Sequence, residues 1–110
     1  MRILSLVLLL AACSSTSTAN RPQRYAGFEG YAREVTTSVP EAQAWFDQGI
    51  QLMYGFNHDE AIRSFQAATE VDPSCAMAWW GISYANGLDI NNPMISEAEA
   101  KLAYDAAQTA

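Results

Sequence analysis

One stretch near the middle of the 110-residue chain decides the fold; residues 42–75 read AQAWFDQGIQLMYGFNHDEAIRSFQAATEVDPSC. Its apolar residues recur at intervals of three and four, which is the period of an amphipathic α-helix. Ser38 and Asn57 each precede a glutamate by three residues, the spacing of a capping box. The stretch therefore predicts two helices, from about residue 39 to 56 and from about 58 to 71.

The residues that follow predict two more helices. Asp72-Pro73 stops the second helix and offers a cap and a first-turn proline to a third, from about residue 73 to 86. An Asn-rich loop at 89–95 then precedes a fourth helix, which Ser96 opens with Glu99 in another capping box. The predicted fold class is all-α.

Seven positions in the central stretch also have a fixed spacing: Trp45, Gly49, Leu52, Ala61, Phe65, Ala68 and Pro73. This spacing resembles the consensus of the tetratricopeptide repeat (TPR), and the resemblance covers one full unit of 34 residues, 42–75. Gln48 departs from the leucine that is usual before the glycine. The resemblance implies an antiparallel helical hairpin of the kind that stacks into an α-solenoid.

A second, less regular unit follows at about 76–110. Trp79, Ile82 and Ser83 lie 34 residues after Trp45, Gln48 and Gly49, and Ala100, Tyr104 and Ala107 repeat Ala61, Phe65 and Ala68 after 39 residues. We therefore expect two TPR-type hairpins over 38–110, the second with five extra residues in its turn. The sequence around the consensus positions also resembles the N-terminal repeats of long bacterial TPR proteins, which implies further repeats downstream. Completion of a short stack by a partner or by self-association is the alternative.

The spacing has a physical reason. Gly49 and Ala61 are small where the two helices of the hairpin are expected to cross, so the backbones can approach closely, while Trp45 and Phe65 fill the space beside them. A generic antiparallel helix pair with alanine and tryptophan in its core is the alternative interpretation.

The repeat register also predicts a partner-binding groove, because the first helix of each TPR hairpin lines the concave face of the stack. The predicted groove residues are Gln43, Phe46, Ile50, Met53, Tyr54, Met77, Trp80, Tyr84 and Leu88. Eight of the nine are apolar or aromatic, which favours an apolar peptide or helix as the partner. The alternative is that missing repeats, or Tyr25, Phe28 and Tyr31 folding back, bury these residues.

The first thirteen residues predict export and lipidation. Met1 and Arg2 precede an apolar run of ten residues, 3–12, which ends in the sequence LAAC. At about 1.5 Å per residue this run is roughly 15 Å long as a helix, too short for a bilayer core of about 30 Å, so residues 1–12 form a signal peptide. The LAAC ending resembles the lipobox of bacterial lipoproteins, which implies that Cys13 is the lipidated N-terminus of the mature protein. An ordinary secretory peptide with a free Cys13 is the alternative.

Residues 13–37 connect that anchor to the helices. The stretch 14–20 is low in complexity and rich in serine and threonine, as expected of a flexible tether, and 21–37 is expected to be an adaptor, extended or a short helix. The residue after the cysteine is Ser14. By the same lipoprotein resemblance, this serine implies that the protein is sorted to the outer membrane and faces the periplasm.

Charge and cysteine content limit the functions that this chain can have. The net charge is −6, and from Glu41 onward ten acidic residues stand against Arg63 and Lys101, which disfavours nucleic acid as a partner. With Cys13 acylated, Cys75 is left without a disulfide partner.

The sequence gives little support for a catalytic site or a metal site. The chain has no Gly-rich phosphate loop, no paired metal motif and one histidine, so we expect no enzyme activity and no cofactor. The rival hypothesis is a copper site or a redox role, because His58, Cys75, Met53 and Met77 include soft ligands. An enzyme domain downstream, with this part as its adaptor, is the other alternative.

Overall fold

Four α-helices and no strands occur in residues 22–110, the part of the chain that the computed structural model describes. They are α1 (Pro40–Tyr54), α2 (His58–Val71), α3 (Ala76–Ala85) and α4 (Glu97–Thr109). Each helix packs against the next in the chain, and α1 also contacts α3. The all-α prediction is confirmed. The predicted signal peptide, lipidation site and flexible tether all lie outside the described residues.

The start of α1 differs from the prediction. Val39 is the N-cap and Pro40 the first helical residue, where the missing N–H of proline has no helical partner to lose. Ser38 is therefore not the cap, and no side chain caps this helix. Instead the Thr37 hydroxyl accepts a hydrogen bond from the Val39 N–H at 3.1 Å.

Helix α1 ends at Tyr54, two positions before the predicted end, and the left-handed residue Phe56 follows it. Phe56 has φ 60°, its N–H donates to the Met53 carbonyl at 3.1 Å, and the Asn57 N–H donates to the Leu52 carbonyl at 2.9 Å. This pair of bonds is the Schellman motif, in which the left-handed position is usually glycine. The left-handed residue turns the chain sharply into α2. Because this residue is a phenylalanine and not a glycine, the conformation strains the backbone.

The connection between α2 and α3 is a turn, not the first turn of α3. The Cys75 N–H donates to the Asp72 carbonyl at 3.1 Å, and the Asp72 carboxylate accepts from the Ser74 N–H at 3.0 Å. Aspartate at the first position and Pro73 at the second are favoured residues of a β-turn. The prediction that Pro73 opens α3 is therefore wrong, because the turn uses Pro73 and Ser74 before α3 begins at Ala76.

Helix α4 begins as predicted. The Ser96 hydroxyl accepts a bond from the Glu99 N–H, and the Glu99 carboxylate accepts from the Ser96 N–H at 2.6 Å, so this capping box is complete. The Asn57–Glu60 pair, in contrast, forms no side-chain cap on α2.

The core lies where α1, α2 and α3 meet. The rings of Phe46 and Phe65 lie 5.6 Å apart between their centroids, and both side chains are fully buried. A β-carbon added to Gly49 of α1 would stand 2.7 Å from the Phe65 ring, and one added to Gly81 of α3 would stand 2.6 Å from it. Phe65 therefore fits only because a glycine faces it from each neighbouring helix.

Candidate binding surfaces

The predicted groove divides into a buried part and an exposed part. Phe46, Ile50 and Met53 of α1 belong to the hydrophobic core, and Met77 of α3 is half-buried against the same core. The expectation of an open groove is therefore wrong for Phe46 and Ile50, which are fully buried, whereas Met53 is mostly buried but lines the cleft described below. Phe46 packs on Phe65 of α2, because α1 is apolar on more than one side and buries its widest face.

The exposed part comprises Tyr54 of α1 and, from the second unit, Trp80, Tyr84 and Leu88. We call these last three residues the apolar wall. Their exposed fractions are 37%, 49% and 63%. The rings of Trp80 and Tyr84 are stacked, with centroids 5.1 Å apart and planes 9° from parallel. Stacking holds two large aromatic surfaces in one orientation in front of solvent.

A cleft of about 250 Å³ lies at the end of the apolar wall. Tyr54 and Phe56, at the end of α1, form its opposite side, and both are more than half exposed. Its polar residues are His58 and Asp89, whose Nδ1 and Oδ2 atoms lie 3.5 Å apart. The cleft is thus an apolar depression with one polar pair, the usual composition of a site that holds an apolar side chain.

A second surface is already occupied by the chain itself. Residues 23–37, which we call the strap, contain no helix and lie along α1. Tyr25, Phe28 and Val35 of the strap pack against the hydrophobic core, whereas Tyr31 is exposed. Of the three predicted aromatics, two therefore fold back onto the helices, in agreement with the alternative that they cover α1.

Side chains of α1 hold the strap by its backbone. Gln48 accepts from the Tyr25 N–H at 2.9 Å and donates to the Gln23 carbonyl at 2.7 Å. Gln43 likewise accepts from the Val35 N–H at 3.0 Å and donates to the Arg33 carbonyl at 2.8 Å.

Two further α1 residues complete the row. Gln51 donates to the Phe28 carbonyl at 2.8 Å, and Asp47 accepts from the Arg33 N–H at 2.8 Å. Each of the four α1 side chains thus binds main-chain groups of the strap, and six N–H and C=O groups of this segment find partners without a β-strand.

Side chains of the strap add contacts at its two ends. The Tyr25 hydroxyl donates to Glu60 Oε2 at 2.9 Å, and Arg63 donates to Glu60 Oε1 at 2.6 Å. The hydrogen bond from Arg63 lowers the pKa of Glu60 most, and the hydrogen bond from Tyr25 lowers it further. The same bond to Glu60 raises the pKa of Tyr25. The Arg24 guanidinium lies 4.8 Å above the Trp45 ring, a cation–π contact.

The other end of the strap is held at the α2–α3 turn. The Thr37 hydroxyl donates to Asp72 Oδ2, while Ser74 donates to Asp72 Oδ1 through its hydroxyl at 2.6 Å. The hydrogen bond from Ser74 lowers the pKa of Asp72 most, and the one from Thr37 lowers it further. The strap is therefore fastened at both ends to carboxylates that are ionised at neutral pH.

The sequence predicted Gln43 as a groove residue and marked Gln48 as a departure from the consensus, but it did not reveal that these side chains hold the strap. Gln48 carried a signal of this role. Gln48 occupies a position where the repeat consensus has leucine, and it is almost fully buried. A buried carboxamide needs partners for its oxygen and its nitrogen, and it finds them in the strap and in the Ser64 hydroxyl at 3.0 Å. A polar residue at an apolar repeat position predicts such a partner.

The predicted structural positions divide between the two units. In the first unit Trp45, Gly49, Leu52, Ala61, Phe65 and Ala68 are buried, and Pro73 lies in the turn after α2. In the second unit Trp79 is half-buried, but Ala100, Tyr104 and Ala107 are exposed. Ala106 is the buried residue of α4. The 39-residue offset thus predicted the wrong face of α4, which packs mainly on α3 and so buries a narrow stripe.

The candidate metal ligands have other surroundings. Cys75 is fully buried beside Ala67, Ala68 and Ala78. His58 faces Asp89 as described above. Within residues 22–110, no three histidine, cysteine or acidic side chains lie close enough together to hold a metal ion.

The described helices also include none with the length and apolarity of a membrane span. A scan against protein-family models gave no match, and neither did searches of the curated proteins and of the solved structures.

Proposed function

We propose that this protein is a TPR-type interaction scaffold, anchored by an N-terminal lipid in a bacterial cell envelope, which binds an apolar peptide or helix through the apolar wall. The hairpin assignment is supported by the burial of the consensus positions in the first unit and by the packing of each helix on the next. The anchor is supported by the lipobox-like sequence that ends at Cys13.

The observation that carries the binding function is the stacked pair of Trp80 and Tyr84. Both side chains are more than one third exposed, and Leu88 extends the same surface toward the cleft beside Tyr54. Aromatic residues concentrate binding energy at interfaces because they bury a large area with few rotatable bonds. An exposed stack next to an apolar cleft suits a helix or peptide that inserts one apolar side chain.

Selection of peptides on the full chain tests this function. Peptides are selected from a random library, and their dissociation constants are measured on the chain and on two variants. Trp80→Ala should weaken binding at least tenfold while circular dichroism stays unchanged, because it removes half of the stack. Tyr104→Ala, at an exposed aromatic residue of α4, is the matched control and should leave binding unchanged. Equal binding to both variants would contradict the proposed site.

A further inference from the structure

The strap occupies the outer face of α1 in the way that a bound peptide would. All six hydrogen bonds from Gln43, Asp47, Gln48 and Gln51 to the strap end on its main-chain N–H and C=O groups. Main-chain groups are common to every peptide, so this row of α1 side chains recognises a backbone path, that of a segment with turns at residues 26–27 and 29–30. Gly27, at φ 95°, is the position of that path where a residue with a side chain would be strained.

Selectivity comes from the few strap side chains that reach the helices. Tyr25 donates to Glu60 and packs on the core, and Phe28 packs beside it with ring centroids 6.1 Å apart. Arg24 stacks on Trp45. These contacts define a ligand pattern of arginine, then tyrosine, and phenylalanine three residues after the tyrosine.

Net charge does not set this selectivity. The strap carries Arg24 and Arg33 but also Glu29 and Glu34, so it is neutral overall. The carboxylate of Asp47 accepts from the backbone of Arg33, and that of Glu60 accepts from the Tyr25 hydroxyl. The acidic side chains of this face thus act as hydrogen-bond acceptors for a backbone N–H and a tyrosine hydroxyl.

We propose that the outer face of α1 is a peptide-binding site that the strap occupies in cis, and that its ligand in trans is a segment of another protein that turns as the strap does and has the pattern Arg-Tyr-x-Gly-Phe. The strap then acts as an autoinhibitory segment. A tethered competitor has an effective concentration in the millimolar range, so a free peptide binds well only where the strap is weakened or displaced. This surface shares no residue with the apolar wall, so the two sites are tested independently.

The first experiment weakens the strap and leaves the α1 face intact. The probe is a fluorescein-labelled peptide of residues 22–38, and its anisotropy is measured with the full chain and with the double variant Tyr25→Ala, Phe28→Ala. The peptide should bind the double variant at least ten times more tightly than the unmodified chain. Adding Gln48→Leu to the double variant should weaken that binding at least tenfold, because the strap's two bonds to the carboxamide are lost. A peptide with alanine in place of both aromatics is the matched control and should not bind.

A second experiment keeps the original strap and covers the case in which the double variant does not fold. A protease site is inserted between Ser38 and Val39 in the full chain, which folds before it is cut. After cleavage the labelled peptide should exchange with the cut strap while helicity is retained. Loss of helicity as the strap leaves would overturn the proposal, as would failure of the peptide to bind either folded chain. Stable dimers of the unmodified chain in sedimentation would also overturn it, in favour of strap exchange between two copies.

Discussion

Gly81 of α3 lies so close to Phe65 of α2 that a β-carbon on the glycine would stand 2.6 Å from the ring. Gly49 faces the same ring from α1 at 2.7 Å. One phenylalanine thus sets the approach of three helices, and the strap and the apolar wall are both built on that arrangement.

Gly81→Ala should lower the stability of the fold. Alanine adds about 1 kcal/mol of helix propensity, but overpacking against a buried ring costs typically 1–3 kcal/mol, and the clash here is below any normal contact distance. Urea unfolding followed by circular dichroism measures the change. Gly30→Ala is the control, because nothing lies within 4 Å of its β-carbon position. If Phe65→Leu does not reduce the cost of Gly81→Ala, the contact assigned here is not the cause. Gly49→Leu should be more severe and abolish cooperative unfolding.

Phe56→Gly should be more stable than Phe56→Ala by about 1 kcal/mol. Both variants remove the ring, which is 62% exposed and lies edge-on to His58, so the comparison cancels the lost contacts. What remains is the left-handed backbone at φ 60°, which alanine adopts only with strain of about 1–2 kcal/mol and glycine adopts freely. Thermal unfolding of the two variants checks the difference. Equal melting temperatures would mean that the turn between α1 and α2 is not strained.

Acid should loosen the strap. The folded pKa of Glu60 and that of Asp72 are lowered, so the unfolded chain binds more protons near pH 4 and the stability from these groups is lost as the pH falls below about 4.5 and through the folded pKa values. Glu60→Gln cannot ionise, so its urea midpoint should be lower than that of the unmodified chain at pH 7 and should depend less on pH between 5 and 3. Tyr25→Phe, which removes the hydroxyl donor, should also lower the midpoint at pH 7. If the urea midpoints of Glu60→Gln and of the unmodified chain changed in parallel with pH, this carboxylate would not fasten the strap.

Lipidation should depend on Cys13 alone. In a bacterium that exports the protein, a radiolabelled fatty acid should be incorporated into the unmodified chain and into Cys75→Ser, and Cys13→Ser should abolish the label. Cys75 is a suitable control because it is the other cysteine of the chain and is fully buried. Labelling that survives in Cys13→Ser would contradict the anchor, and release of a soluble mature chain would favour an ordinary secretory peptide.

The all-α class, the bounds of α2, the capping box of α4 and the burial of the first repeat unit all followed from the amino-acid sequence. These features depend on local periodicity and on contacts between helices adjacent in the chain, which a pattern of small and large residues encodes directly. The departure of Gln48 from leucine was also visible, and it marked one of the α1 residues that hold the strap.

The tertiary structure alone decided which faces remain open. Phe46, Ile50 and Met53 have the same apolar character as Trp80 and Tyr84, and only packing determined that the first group joins the core and the second faces solvent. The position of the strap was likewise beyond local patterns, because hydrogen bonds such as Gln48 to Tyr25 and Thr37 to Asp72 join residues 23 and 35 positions apart. Contacts of this range depend on how the helices fold together, so no short stretch of the chain contains them.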